Sequence, residues 1–224
     1  MRKNDILKRL EMEKLIAVVR MAEDIDTVFD TCEALVKGGI TIIEITADTP
    51  DARELIRGLV GKKGRSYLVG AGTVLNAPIA SAMIEEGAEF IVSPAVIEEV
   101  IRVSHRSGVA VFPGALTPTE IWRAHSRGAD AVKVFPASLL GPSYLRLLSG
   151  PFPGYRLIPT GGVNADNVAD FIRAGAFAVG VGSDLINRDA AKRGDWEQMA
   201  SRAAQFVRVV KEALNASAKE DGNG

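Results

Sequence analysis

The sequence predicts an α/β protein, a compact (β/α)8 barrel, on three observations. Glycine recurs at a near-regular interval, at Gly39, Gly64, Gly87, Gly108, Gly128, Gly154 and Gly175. A short apolar run follows each of these glycines. The stretches between the runs have helical length and an apolar stripe. Glycine is favoured just past a helix C-terminus because a positive φ costs it nothing. The pattern therefore reads as helix, glycine stop, strand, repeated. Continuous Val, Ile and Ala runs, in place of strict alternation, suit parallel strands covered on both faces.

Taken in order, strands are predicted over 15–20, 40–45, 67–71, 89–93, 109–112, 131–135, 156–160 and 177–181. A short helix precedes the first. The helix over 27–36 carries Val28, Cys32, Leu35 and Val36 on one stripe. The helix over 76–86 opens on Asn76 and turns Ile79, Met83 and Ile84 inward. Thr117, Pro118 and Glu120 have the N-cap, first-turn and N3 residues of a helix start. Helices over 164–174 and 195–214 complete the series. An open doubly wound sheet is the competing architecture. The regular spacing, and the lack of a G-x-G-x-x-G fingerprint after the first strand, favour the barrel. No linker interrupts the chain, so residues 1–224 are expected to form one domain. The polar residues 216–224 are expected to be a disordered tail.

Composition narrows the function. The 27 Lys and Arg balance 28 Asp and Glu, which leaves no basic footprint for nucleic acid. No apolar run is long enough for a membrane span. Residues 1–14 are charged throughout and lack the apolar centre of a signal peptide, and the single Cys32 cannot form an internal disulfide. A cytoplasmic protein is expected. His105 and His125 are distant in sequence and lie beside arginines on predicted helices, so no metal-ligand cluster is expected. The charged run at 62–65 reads as a solvated loop.

Charges inside strands are more informative. Of the ten lysines, Lys133 alone lies within a strand, in Ala-Val-Lys-Val-Phe-Pro. It shares a face with Ala131 and Phe135, opposite Val132 and Val134. A lysine pointing into a barrel loses hydration, which disfavours its ammonium form and frees the amine for Schiff-base formation. The plainer alternative is a structural ion pair. Glu44 is the second intrusion, on the parity of Ile42 and Thr46. The second and sixth strands of an eight-strand barrel lie opposite, so Glu44 and Lys133 are expected to face each other across its mouth. There Glu44 serves either as a general acid and base or as a silent ion partner.

Arg20 ends the first strand, and its fork suits a carboxylate or phosphate. Thr73 closes Gly70-Ala71-Gly72-Thr73 at the end of the third. Gly161 and Gly162 follow the seventh strand, and Gly180 and Gly182 end the eighth, where barrels often bind phosphate. Gly70, Gly72 and Gly180 are expected, like Gly161, Gly162 and Gly182, to bring backbone close to a ligand.

Together these segments resemble the KDPG/KHG aldolase family, class I aldolases acting on 2-keto-3-deoxy-6-phosphogluconate or 4-hydroxy-2-oxoglutarate. The resemblance runs over about residues 10 to 213. It is carried by Ile-Glu-Ile-Thr at 43–46, Gly-Ala-Gly-Thr-Val at 70–74, Ile-Val-Ser-Pro at 91–94 and Phe-Pro-Gly at 112–114. It continues in Val-Lys-Val-Phe-Pro at 132–136, Pro-Thr-Gly-Gly-Val at 159–163 and Gly-Val-Gly-Ser at 180–183. It implies that Lys133 forms the Schiff base and Glu44 is the general acid and base. Thr73 would contact the pyruvate carboxylate, with Thr46 joining the substrate-binding set. Pro94, Pro113 and Phe135 would line the pocket. Thr160, Gly161, Gly162, Gly182 and Ser183 would hold the phosphate. The resemblance implies a homotrimer and no metal or cofactor.

One position departs from that pattern. Some members carry a carboxylate-binding arginine four residues after the glutamate, where this chain has Asp48. Other members have an arginine where Arg20 stands, and Arg20 is expected to supply the missing charge. Gly-Ser-Asp-Leu at 182–185 resembles the 6-phosphogalactonate branch, while Gly-Pro-Phe-Pro at 150–153 resembles the phosphogluconate branch. Two readings remain beside the aldolase. One is a phosphate-binding barrel isomerase or synthase, with Lys133 acting only electrostatically. The other is a non-catalytic sugar-phosphate-binding barrel.

Overall fold

The computed structural model describes residues 3–62 and 64–221. Nine strands occur: β1 Leu15–Val19, β2 Ile42–Thr46, β3 Leu68–Gly72, β4 Phe90–Val92, β5 Ala110–Phe112, β6 Gly114–Ala115, β7 Val132–Val134, β8 Leu157–Pro159 and β9 Val179–Val181. The α-helices are α1 Lys3–Glu13, α2 Ile25–Lys37, α3 Ala52–Gly61, α4 Ala77–Glu85, α5 Glu98–Arg106, α6 Pro118–Ser126, α7 Gly141–Ser149, α8 Val168–Arg173, α9 Arg188–Lys192 and α10 Trp196–Asp221.

Six strands pair in the order β5-β4-β3-β2-β1-β9 and three in the order β6-β7-β8, all parallel. Only Pro113 separates β5 from β6, so the two form one bent stave. Its first half bonds to β4 and its second to β7. A proline has no N–H to give to a ladder, which is why the stave breaks there. A bridge between Thr160 and Gly180 and a 2.8 Å bond from Phe177 N–H to the Leu157 carbonyl join β8 to β9. The result is a ring of eight staves, as the sequence predicts.

All seven punctuating glycines have positive φ, from 69° at Gly108 to 98° at Gly87. The predicted caps are also present. Asn76 accepts from the Ile79 N–H, and Thr117 with Glu120 forms a complete capping box around Pro118.

Apolar residues divide into two layers. Val132 and Val134 belong to the larger layer, between strands and helices. Ile16, Ile42, Leu68, Phe90 and Phe112 fill the barrel interior, with Phe90 and Phe112 stacked at 5.6 Å. Ile6, Leu7 and Leu10 of α1 enter this inner cluster and stop the barrel at the N-terminal ends of its strands. Asp130 lies at that end too, accepting from Val111 N–H and paired with Lys3.

Four expectations need correction. The helix after β8 begins at Val168, four residues late, because Asn164 and Asn167 side chains hold the backbone N–H groups of residues 164, 166 and 167 in turns. The expected disordered tail is helical as far as Asp221, since Ala, Lys and Glu favour α10's continuation over fraying; residues 222–224 lie outside the described residues. The charged run at 62–65 is not simply a solvated loop. Arg65 is held against Glu89 at 3.0 Å and against the Val60 carbonyl, while Lys62 pairs with Glu33; Lys63 lies outside the described residues.

The fourth correction concerns glycines. A Cβ on Gly70 would lie 2.3 Å from the Phe90 ring, and one on Gly180 would lie 2.5 Å from Thr160 Oγ1. These residues make room for protein side chains in a tapering barrel, not for a ligand.

Candidate active site

Lys133, from the middle of β7, points into the upper barrel, since Ala131 on its face belongs to the inner cluster and Val132 and Val134 to the outer one. Glu44, from the middle of β2, arrives from the opposite side. Lys133 Nζ lies 4.0 Å from Glu44 Oε1, and the two side chains are 8% and 3% exposed. Two opposite charges so deeply buried are costly unless paired or used. Glu44 Oε1 has no hydrogen-bond partner among the described residues. Burial pushes the Glu44 carboxyl above the ordinary glutamate range, with Lys133 first and Arg20 second opposing the shift. The Phe135 ring covers the amine at 5.1 Å.

Strand β3 is shaped around that acid. A Cβ on Gly72 would lie 1.9 Å from Glu44 Oε1 and 2.5 Å from its Cδ. Gly72 is therefore a gap that the carboxyl occupies, and its expected role as a ligand contact is corrected. Directly after it, Thr73 has a φ of 54°, unusual for a β-branched residue. Arg20 Nη2 donates to Thr73 Oγ1 at 2.6 Å, and Arg20 Nε lies 3.5 Å from Asp48 Oδ2. Asp48 thus holds the arginine that follows β1.

A cavity of about 810 Å³ opens over this pair at the C-terminal ends of the strands. Arg20, Thr73, Pro94, Lys133 and Phe135 line one side of it. Thr160, Gly161, Gly162, Gly182 and Ser183 line the other. Gly161 and Gly162 have φ of 86° and 78°, which only glycine adopts freely, and their missing side chains leave space for Phe135 and Ser138.

Three expected residues are absent from the cavity lining: Glu44, buried behind Lys133, and Thr46 and Pro113. Thr46 is fully buried, with its hydroxyl 3.1 Å from that of Thr49, and fastens the ends of β1 and β2. Pro113 lies beneath the site at the break in the bent stave, where its carbonyl accepts from Lys133 N–H.

The outer wall contains residues to which the sequence assigned no site role: Asp184, noted only within a motif, and Arg188, Gln198, Met199 and Arg202. They come from the β9 exit, α9 and α10, where an arginine on an amphipathic helix gives no local sign of a site.

His105 and His125 are exposed; the first bonds the Gly128 carbonyl and the second stacks on Tyr155. Cys32 is buried on α2, and burial raises its thiol to about 12. Among the described residues no group of three His, Cys, Asp or Glu is arranged to hold a metal, and no helix is long and apolar enough to cross a membrane.

Known proteins resemble this chain over most of its length. The 2-dehydro-3-deoxy-6-phosphogalactonate aldolase of Escherichia coli K12 is 36% identical over 81% of this chain and 87% of its own length. The 2-dehydro-3-deoxy-phosphogluconate aldolase of Pseudomonas aeruginosa is 34% identical over 90% of this chain and 88% of its own. The KDPG aldolase of Legionella pneumophila, solved with pyruvate captured as a covalent carbinolamine, is 26% identical. It superimposes with a TM-score of 0.83 over 92% of this chain and 98% of its own. The family model for KDPG and KHG aldolase matches residues 6–202, and this chain belongs to that family.

Proposed function

We propose that the protein is a class I aldolase that reversibly cleaves 2-keto-3-deoxy-6-phosphogluconate to pyruvate and glyceraldehyde 3-phosphate. The observation that carries this reading is the buried Lys133–Glu44 pair at the floor of the cavity. The Legionella relative, with pyruvate held as a carbinolamine, supports the covalent route.

The neutral Lys133 amine adds to the C2 carbonyl of the substrate. The carbinolamine loses water to give an iminium. Glu44, acting through a water, takes the proton of the C4 hydroxyl. The C3–C4 bond breaks, its electrons pass into the iminium, and the phosphorylated aldehyde leaves. Protonation of the enamine at C3 and hydrolysis then release pyruvate and regenerate the amine. Arg20, steadied by Asp48, and Thr73 receive the pyruvate carboxylate. Gly161, Gly162, Gly182, Ser183 and Thr160 hold the phosphate. Hydroxyoxoglutarate would follow the same steps and release glyoxylate. The 36% identity to the phosphogalactonate aldolase favours the C4 epimer as a second substrate.

We further infer a homotrimer in the cytoplasm. Leu139, Leu140 and Leu147, exposed near α7, offer apolar surface for assembly. Sedimentation equilibrium should give three times the chain mass; a monomer mass would remove the trimer.

Three further outcomes test the chemistry. Borohydride with pyruvate should trap an adduct on Lys133, read by peptide mass spectrometry. An adduct on another lysine, or none, rules out the Schiff-base role. The acid limb of kcat/KM should lie above the ordinary glutamate range, about 4.3, because the base form of Glu44 exists only above its raised pKa. In Glu44→Gln that limb should vanish while kcat falls about 10²–10⁴-fold; an unchanged limb would assign it to another group. Arg20→Ala should raise the pyruvate KM in the condensation direction at least about tenfold, the effect of losing about 1.4 kcal/mol. An unchanged KM would mean that the carboxylate is held elsewhere.

A further inference from the structure

Asp184 is the one acid among the described residues lining the cavity, and it directly follows Ser183. A carboxylate beside a bound phosphate dianion would repel it. Asp184 is not left free, however. Arg202, one helical turn and a half into α10, binds it twice: Nη2 lies 2.5 Å from Asp184 Oδ2, and Nε donates to the Asp184 carbonyl at 3.1 Å. Arg202 Nη1 donates to Gln205 at 2.9 Å, and the guanidinium lies 5.3 Å from the Phe206 ring. Asp184 Oδ2 also accepts from the Ala165 N–H at 3.2 Å, which ties the β9 exit to the loop that carries Gly161 and Gly162. The arginine itself lines the cavity.

We propose that Arg202 and Asp184 are a positioning pair for the phosphate: Asp184 joins the two phosphate loops, and Arg202 cancels the charge that this join brings to the site. The inference rests on the phosphate reading of these loops. Lysine could not replace Arg202 fully, because its single nitrogen lacks the rigid planar fork that reaches the carboxylate and the carbonyl from two separate nitrogens.

The charges give the proposal a signature that a simple brace lacks. In Arg202→Met the carboxylate stands uncompensated. In Asp184→Asn the cation is freed toward the ligand. In the double variant both charges are gone. The quantity to measure is the preference for the phosphorylated over the unphosphorylated substrate, as the ratio of kcat/KM for 2-keto-3-deoxy-6-phosphogluconate to that for 4-hydroxy-2-oxoglutarate. Inhibition by inorganic phosphate is measured alongside it. Arg202→Met should lower the preference about tenfold at low salt, with less effect at high salt because part-exposed charges are screened. Adding Asp184→Asn to that variant should recover most of the loss, and phosphate inhibition should follow the same order.

If Arg202→Met weakens both substrates equally, or the second substitution deepens the loss, the pair is only a brace and the proposal fails. A wild-type preference near one would overturn the phosphate reading itself, and the proposal with it. If Arg202→Met does not fold, Asp184→Asn alone decides. Tighter phosphate inhibition supports the proposal, and weaker inhibition overturns it.

Discussion

The structure depends on a lysine and a glutamate held 4.0 Å apart with both side chains almost wholly buried. An isolated lysine or glutamate there would be expensive, and the pair repays only part of that cost. The barrel is arranged to tolerate it. Below the pair, Phe90 and Phe112 fill the interior. Beside it, Gly72 yields the volume that Glu44 occupies. Above it, Phe135 lies over the amine. The apolar surroundings raise the carboxyl's pKa. That brings a glutamate closer to the neutral conditions in which the proposed reaction would have it take and return a proton.

Outside this dry floor the site changes character. The rim is polar, partly exposed and mostly cationic, with Arg20, Arg188 and Arg202 lining it and Asp184 as the one acid among the described lining residues. The division suits the proposed substrate. Its uncharged carbonyl would go to the floor, while the anionic groups at its two ends would meet arginine and loop backbone. Binding the ends would hold the carbonyl near the amine, and orientation of that kind lowers the barrier without any further chemistry.

Much of this was legible in the sequence because it broke local rules. A lysine and a glutamate inside apolar strands are anomalous wherever the chain folds, and parity with Ala131 and Ile42 was enough to aim them inward. The glycine stops were legible because positive φ is a local demand. What failed was what depends on neighbours across the barrel. Gly70, Gly72 and Gly180 looked alike, but what each accommodates lies on another strand. Thr46 and Pro113 were correctly near the site, yet parity and motif do not say which atoms reach a cavity. Arg202 had no local mark at all. An arginine on an amphipathic helix is ordinary until tertiary structure sets it against an acid eighteen residues away. Asn164 and Asn167 delayed a helix through side-chain bonds that compete with it.

The stopper at the bottom of the barrel has a consequence for traffic. With Leu10 and its neighbours filling the lower end, the cavity formed by the described residues opens at the C-terminal ends of the strands. In the proposed cleavage the order of departure is chemical, aldehyde before pyruvate, because pyruvate stays bonded to Lys133 until the imine is hydrolysed. What the stopper adds is a shared route: both fragments would use the same end of the barrel, so the loops there would govern the traffic of each.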